Sequence, residues 1–235
     1  MKKVWLRIAT VLCLSLVAPG VVYAGPAINR ILQRQELIVG ITGNQPPLNA
    51  TTKEGQIIGL DADLATYMAA AMGVKLSFSP MPFAELLPAL LSGKVDMVIS
   101  GMSISPDRNL KVAFVGPYFV SGKSIVTKAE KADALSSPAD LAAPDVKIVA
   151  LEGSTSQTLI KTVIPAAQLQ TTTDYDKALA LVIEGKVDAM VADFPFCALA
   201  VLRNPEKKLA TLDEPFTFEP LGIALPGDDP LLINW

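Results

Sequence analysis

The 235-residue chain is half apolar (51%), lightly charged (18%), carries a net charge of −3 and contains no histidine. That balance argues against a nucleic-acid surface. The missing histidine removes Ser-His-Asp and Cys-His nucleophiles, histidine acid–base work and His-ligated zinc.

Residues 1–24 read as a secretory signal peptide. Lys2, Lys3 and Arg7 make a basic start, 8–17 is apolar but too short to span a bilayer, and Pro19-Gly20 breaks it. Val22-Tyr23-Ala24 then places small residues where a signal peptidase reads, so cleavage is expected after Ala24. The competing reading is a membrane anchor; Cys13 lies inside the apolar run, against a lipid-anchored start. Losing three basic residues takes the net charge from −3 to −6. Only Cys197 remains, which excludes an intramolecular disulfide, and its apolar surroundings make it a small core residue rather than a reactive thiol. No later stretch reaches the roughly 18 apolar residues of a span. The mature chain is expected to be soluble and exported, and long enough for one large domain or two small lobes.

In chain order, 37–41 is a β-rich run followed by turn residues 43–47. Residues 57–60 lead to Asp61, read as a helix N-cap, with Asp63 on the surface; apolar residues recur to Met72, and Gly73 stops the helix. A strand at 74–78, a helix at 83–91 stopped by Gly93 and a buried strand at 95–100 complete a βαβαβ rhythm, which predicts a parallel sheet. After Gly116-Pro117-Tyr118-Phe119-Val120-Ser121-Gly122-Lys123 comes a strand-like 124–127. Residues 128–144 read as a surface connection with a short helix. The rhythm then repeats: strand 146–151, a helix from Thr155, strand 168–172, helix 175–183 and strand 187–192. A last strand at 221–225 has no local partner and is expected to return to the first half. Two chain crossings result, near 118–124 and 211–216, which together make a hinge.

One ten-residue pattern occurs twice. Ser92-Gly93-Lys94-Val95-Asp96-Met97-Val98-Ile99-Ser100-Gly101 is echoed by Glu184-Gly185-Lys186-Val187-Asp188-Ala189-Met190-Val191-Ala192-Asp193, and Phe83 and Tyr175 each stand ten residues before the Gly. A repeated helix–Gly–strand unit predicts two similar α/β lobes meeting at a ligand cleft.

Three places carry candidate chemistry. Ser105 can cap a helix with Pro106 at its first position, which puts Arg108 in the first turn, where a cation opposes the helix dipole by about 0.3–1 kcal/mol. Arg108 is either a fork for a carboxylate or a solvated residue paired with Asp107. Gly153-Ser154-Thr155-Ser156-Gln157 fits a capping box, and the same geometry serves an anion. Asp193 ends the second copy of the repeat where Gly101 ends the first. It can hold an ammonium group across the cleft or cap the turn that follows.

The series Leu37-Ile38-Val39-Gly40, Pro46-Pro47, Gly59-Leu60-Asp61-Ala62-Asp63-Leu64, Phe83, Gly93-Lys94-Val95-Asp96 and Ser100-Gly101-Met102-Ser103-Ile104-Ser105-Pro106-Asp107-Arg108 closely resembles the polar amino-acid-binding proteins of ABC importers, bacterial solute-binding protein family 3. The resemblance covers nearly all of the mature chain. It implies a type II periplasmic-binding-protein fold, two α/β lobes with a two-stranded hinge that close on the ligand. The division would be signal peptide 1–24, first lobe 25–119, second lobe 120–212 and a return at 213–235. It further implies that Arg108 grips the ligand carboxylate with Thr155 and the Ser154 backbone. Asp193 would bind the α-amino group with Ser103 and the Gly101 carbonyl, and Phe83 would form an apolar wall. The implied partners are an amino acid and the membrane permease of an ABC transporter. The protein would be a periplasmic monomer without catalytic residues, cofactor, metal or disulfide.

Two departures stand out. The family's acidic-aromatic pair before Pro-Pro, and the aromatic after it, are replaced by Asn44, Gln45 and Leu48. This disfavours a lysine or arginine ligand and favours a polar uncharged side chain, unless Glu152 points inward. The chain also stops at Trp235, where family members begin one or two further helices; their loss would expose apolar surface on the first lobe. The alternatives are an enzyme resembling cyclohexadienyl dehydratase, with Glu152 as the candidate acid, and a sensor module.

Overall fold

The computed structural model describes residues 25–235; the expected signal peptide lies outside them. Helix α1 (Pro26–Arg34) leads into β1 (Glu36–Ile41), whose Leu37, Val39 and Ile41 are fully buried. Each such side chain contributes about 1.5–3 kcal/mol on burial. A small antiparallel sheet follows, made of β2 (Asn44–Gln45), β3 (Asn49–Thr51) and β4 (Ile57–Ile58). Helix α2 (Leu60–Met72) ends where Gly73 turns left-handed at φ 68°. Next come β5 (Lys75–Pro80), α3 (Phe83–Leu91), β6 (Met97–Val98), the single turn α4 (Pro106–Asn109) and β7 (Ala113–Ser121). β7 is long and continuous through Gly116-Pro117.

The chain then crosses into β8 (Lys123–Lys128). Three 3₁₀ turns between 129 and 142 stand where one short helix was expected. β9 (Lys147–Leu151), α5 (Thr155–Val163), β10 (Gln168–Thr172), α6 (Tyr175–Ile183), β11 (Ala189–Asp193), α7 (Phe194–Arg203) and β12 (Leu209–Ala210) build the second lobe. β13 (Glu219–Leu225) and α8 (Pro230–Asn234) end the chain. A helix therefore does begin before Trp235. Its Asp229 cap accepts from Leu232 N at 3.0 Å and from Ile28 N at 2.8 Å, which ties α8 to α1.

The first lobe's sheet has the order β5-β1-β6-β13-β7, and the second lobe's β10-β9-β11-β8-β12. In each, four strands run the same way and one, β13 in the first and β8 in the second, lies antiparallel between its two neighbours. β13 inserts between β6 and β7, so the chain's last strand completes the first sheet.

The twofold motif has a physical reason. Gly93 and Gly185 take φ +71° and +69°, the left-handed turn that releases a helix into a strand. Asp96 and Asp188 then accept a backbone N–H from the start of the neighbouring strand, from Ile38 at 2.9 Å and Lys147 at 2.7 Å. Each aspartate also pairs with a cation, Asp96 with Arg34 and Asp188 with Lys131. The repeat thus fixes the register of β6 on β1 and of β11 on β9.

Asp61 is not the N-cap expected of it. Gly59 occupies that position, and Asp61 is fully buried, accepting from Tyr118 Oη at 2.8 Å and Asn49 Nδ2 at 2.7 Å. Burial raises its pKa, against the lowering pull of those hydrogen bonds. Tyr118 Oη also accepts from Gly101 N at 3.2 Å. Asp61 therefore steadies the end of β6. Asp63 is exposed, as expected of a surface residue.

At the crossing between lobes the two chain segments touch. Lys123 N donates to Thr217 Oγ1 at 2.7 Å and Phe216 N to Lys123 O at 2.8 Å. A Cβ on Gly122 would meet Thr217 O at 2.0 Å, so only glycine fits there.

Candidate functional site

The carboxyl ends of β6 and β11 face each other across the two lobes, the place where ligands gather in open parallel sheets. Ser105 caps α4, accepting from Arg108 N at 3.4 Å, and this turn aims Arg108 inward. The guanidinium is buried rather than solvated or paired with Asp107. It lies 5.4 Å from the Phe83 ring centroid and donates to Ser103 O at 2.7 Å and to Gly153 O, in the opposite lobe, at 3.1 Å. Burial lowers its pKa, while the charges of Glu219 and Asp193 pull the other way.

Asp193 ends β11 with its side chain turned away from helix α7; it makes no capping bond. It accepts instead from Lys123 Nζ at 2.7 Å, from Gln45 Nε2 at 3.0 Å and from Tyr175 Oη at 3.4 Å. Tyr175 stacks on Phe196 with centroids 4.4 Å apart, and with Phe83 they belong to one apolar cluster that spans both lobes. Gln45 packs directly on Gly101, where a Cβ would meet its amide nitrogen at 2.5 Å. Gln45 Oε1 and Asn44 Oδ1 are buried without a hydrogen-bond partner.

Two residues at the centre carried no motif in the sequence. Lys123 is 1% exposed and bridges Asp193, at 2.7 Å, and Glu219, at 3.1 Å. Glu219 in turn accepts from Ser103 Oγ at 2.5 Å and Thr155 Oγ1 at 2.7 Å, and the two hydroxyls are 3.2 Å apart. Burial opposes ionisation of both, but mutual attraction outweighs it: the lysine pKa is raised and the glutamate pKa lowered. The sequence offers one faint signal, a lone lysine after Gly122 inside an otherwise strand-like run; Glu219 offers none.

The structure therefore brings Arg108, Asp193, Ser103, Gly101, Thr155, Phe83 and Gln45 together, and corrects two expectations. Ser103 meets Thr155 and Glu219. The Ser154 N–H turns back to Leu151 O at 3.2 Å and its hydroxyl caps α5, so Ser154 is spent on its own turn. Glu152 is exposed, which removes it as an inward acid. Cys197 is fully buried and its thiol pKa is pushed up by burial. Two cavities flank the charged centre. One of about 380 Å³ touches Arg108, Thr155 and Glu219; the other, about 320 Å³, touches Asn44, Met81 and Asp174.

The chain is similar to known proteins. The cyclohexadienyl dehydratase of Pseudomonas aeruginosa is 27% identical over 92% of this chain and 81% of its own. The ABC transporter arginine-binding protein 1 of Escherichia coli K12 is 28% identical over 85% of this chain and 82% of its own. The crystal structure of an ancestral amino-acid-binding protein, a precursor of cyclohexadienyl dehydratase, superposes with a TM-score of 0.80 at 37% identity, covering 88% of this chain and 89% of that one. Residues 37–193 match the family itself, and the chain belongs to the bacterial extracellular solute-binding proteins, family 3.

Proposed function

We propose that the protein captures an amino acid outside the cytoplasm and presents it to the permease of an ABC importer. The observation that carries this reading is the placing of Arg108, on the turn α4 that follows β6, and Asp193, at the end of β11, opposite charges from different lobes. A zwitterion needs one of each, and contacts divided between lobes make binding favour closure. Arg108 uses two of its five N–H donors on backbone carbonyls, leaving others for a carboxylate. Thr155 and Ser103 add hydroxyls, Asp193 takes the ammonium with Gln45 beside it, and Phe83 and Tyr175 enclose the apolar part. Unpaired acceptors on Asn44 and Gln45, with no acid among them, favour a polar uncharged ligand side chain over a basic one. The family's amino-acid-binding relatives support an extracytoplasmic site of action, and no helix among the described residues is long and apolar enough to cross a membrane.

A thermal-shift screen of the standard amino acids tests this. One of them raises the melting temperature, and Arg108→Ala abolishes the rise; no shift with any of them refutes the reading.

The likeness to cyclohexadienyl dehydratase favours a second reading, catalysis in the same cleft. A general acid there must stay protonated near its working pH. The carboxyl group nearest the centre besides Asp193 is Glu219, and Lys123 drives it the other way. Turnover of prephenate or arogenate by the purified protein decides between the two.

A further inference from the structure

We propose that Lys123 and Glu219 determine specificity by acting as a built-in stand-in for a zwitterion. The inference rests on the ligand class proposed above and goes beyond it. Each pole of the internal pair occupies the partners assigned to the ligand. The Lys123 ammonium sits on Asp193 at 2.7 Å, as an α-amino group would. The Glu219 carboxylate sits on the hydroxyls of Ser103 and Thr155, at 2.5 and 2.7 Å, as an α-carboxylate would. Both residues come from the paired crossings between the lobes, Lys123 opening β8 and Glu219 opening β13. They are therefore positioned to reach the cleft from its base.

The electrostatics fit a substitution rather than an addition. Arg108, Lys123, Asp193 and Glu219 sum to zero charge in a buried site, and a zwitterion added beside them finds Asp193 already paired with Lys123 and the Ser103 and Thr155 hydroxyls already taken by Glu219. Binding must first displace Glu219 from the hydroxyls and loosen Lys123 from Asp193. The pair also links the second lobe's Asp193 and Thr155 to the first lobe's Ser103 through side chains alone, so it favours the closed form by itself. A ligand is then selected by how well it outcompetes an internal carboxylate and ammonium. That discriminates against weakly bound amino acids and against molecules with only one charged pole.

The test uses the purified full chain, unfolded and refolded to strip carried-over ligand, with small-angle scattering and calorimetric titration of each standard amino acid. The wild type is compact before any addition, and Glu219→Ala has a larger radius of gyration that contracts on binding. Glu219→Ala also binds its amino acid at least tenfold more tightly. Because Glu219→Ala leaves Lys123 in place, the double variant Lys123→Met/Glu219→Ala is measured beside it, and it is the more open of the two. Unchanged radius and unchanged or weaker binding in both variants overturn the proposal while leaving the ligand class standing. A radius that opens in both variants, with no amino acid bound by any of the three proteins, supports the internal pair as a closing device and refutes the ligand class.

Discussion

The two copies of the repeat share a scaffold and differ at its tip. Phe83 and Tyr175 each open the helix before the motif, both buried, and Gly93 and Gly185 each make the same left-handed turn. Beyond the strand the copies part. The first runs into Gly101, whose missing side chain admits Gln45, and delivers Arg108 seven residues later. The second ends in a carboxylate, Asp193, with Tyr175 supplying a hydroxyl where Phe83 supplies a face for a cation. Packing constraints keep the helix–Gly–strand unit alike in both lobes. The tips are not bound by register and have taken opposite charges.

The largest expected break in this contrast comes at the tip of the second lobe. Asp193→Ala leaves Lys123 buried with a single counter-charge. Removing one partner of a buried pair costs about 3–5 kcal/mol, and chemical denaturation reads it as a lower midpoint at unchanged slope. The repeated aspartates give an intermediate effect. Asp96 is fully buried with a strand N–H and Arg34, whereas Asp188 keeps 23% of its side chain exposed. Asp96→Ala is expected to cost about 2–3 kcal/mol and Asp188→Ala about 1 kcal/mol; equal losses would show that the two copies bear the same load. The smallest effect is a pH dependence. The folded pKa of Glu219 lies below its ordinary value of 4.5, so its stabilisation is complete above that pH and is lost as pH falls through the folded pKa. Melting temperatures of the wild type and Glu219→Gln should therefore converge on acidification below pH 4.5, and a gap that stays constant contradicts the assignment.

What the sequence disclosed followed from local physics. Helices Phe83–Leu91 and Tyr175–Ile183 were legible because apolar spacing and a terminal glycine act within a few residues. Arg108 and Asp193 were legible as candidates because one breaks the dipole preference and the other replaces a glycine in a repeat. Asp61 was misread because an aspartate beside a glycine at a helix start satisfies the capping pattern, and only its distant partner Tyr118 distinguishes the two uses. Lys123 and Glu219 were missed for the same reason in stronger form. They are 96 positions apart, and their meaning lies in a contact no window of sequence contains.

The glycine at the crossing has a mechanical consequence. With Gly122 pressed against Thr217, the two linking segments form one ribbon, and neither can slide past the other without a collision. A side chain at position 122 would wedge the two linking segments apart, so the close packing of the joint depends on the absence of one methyl group.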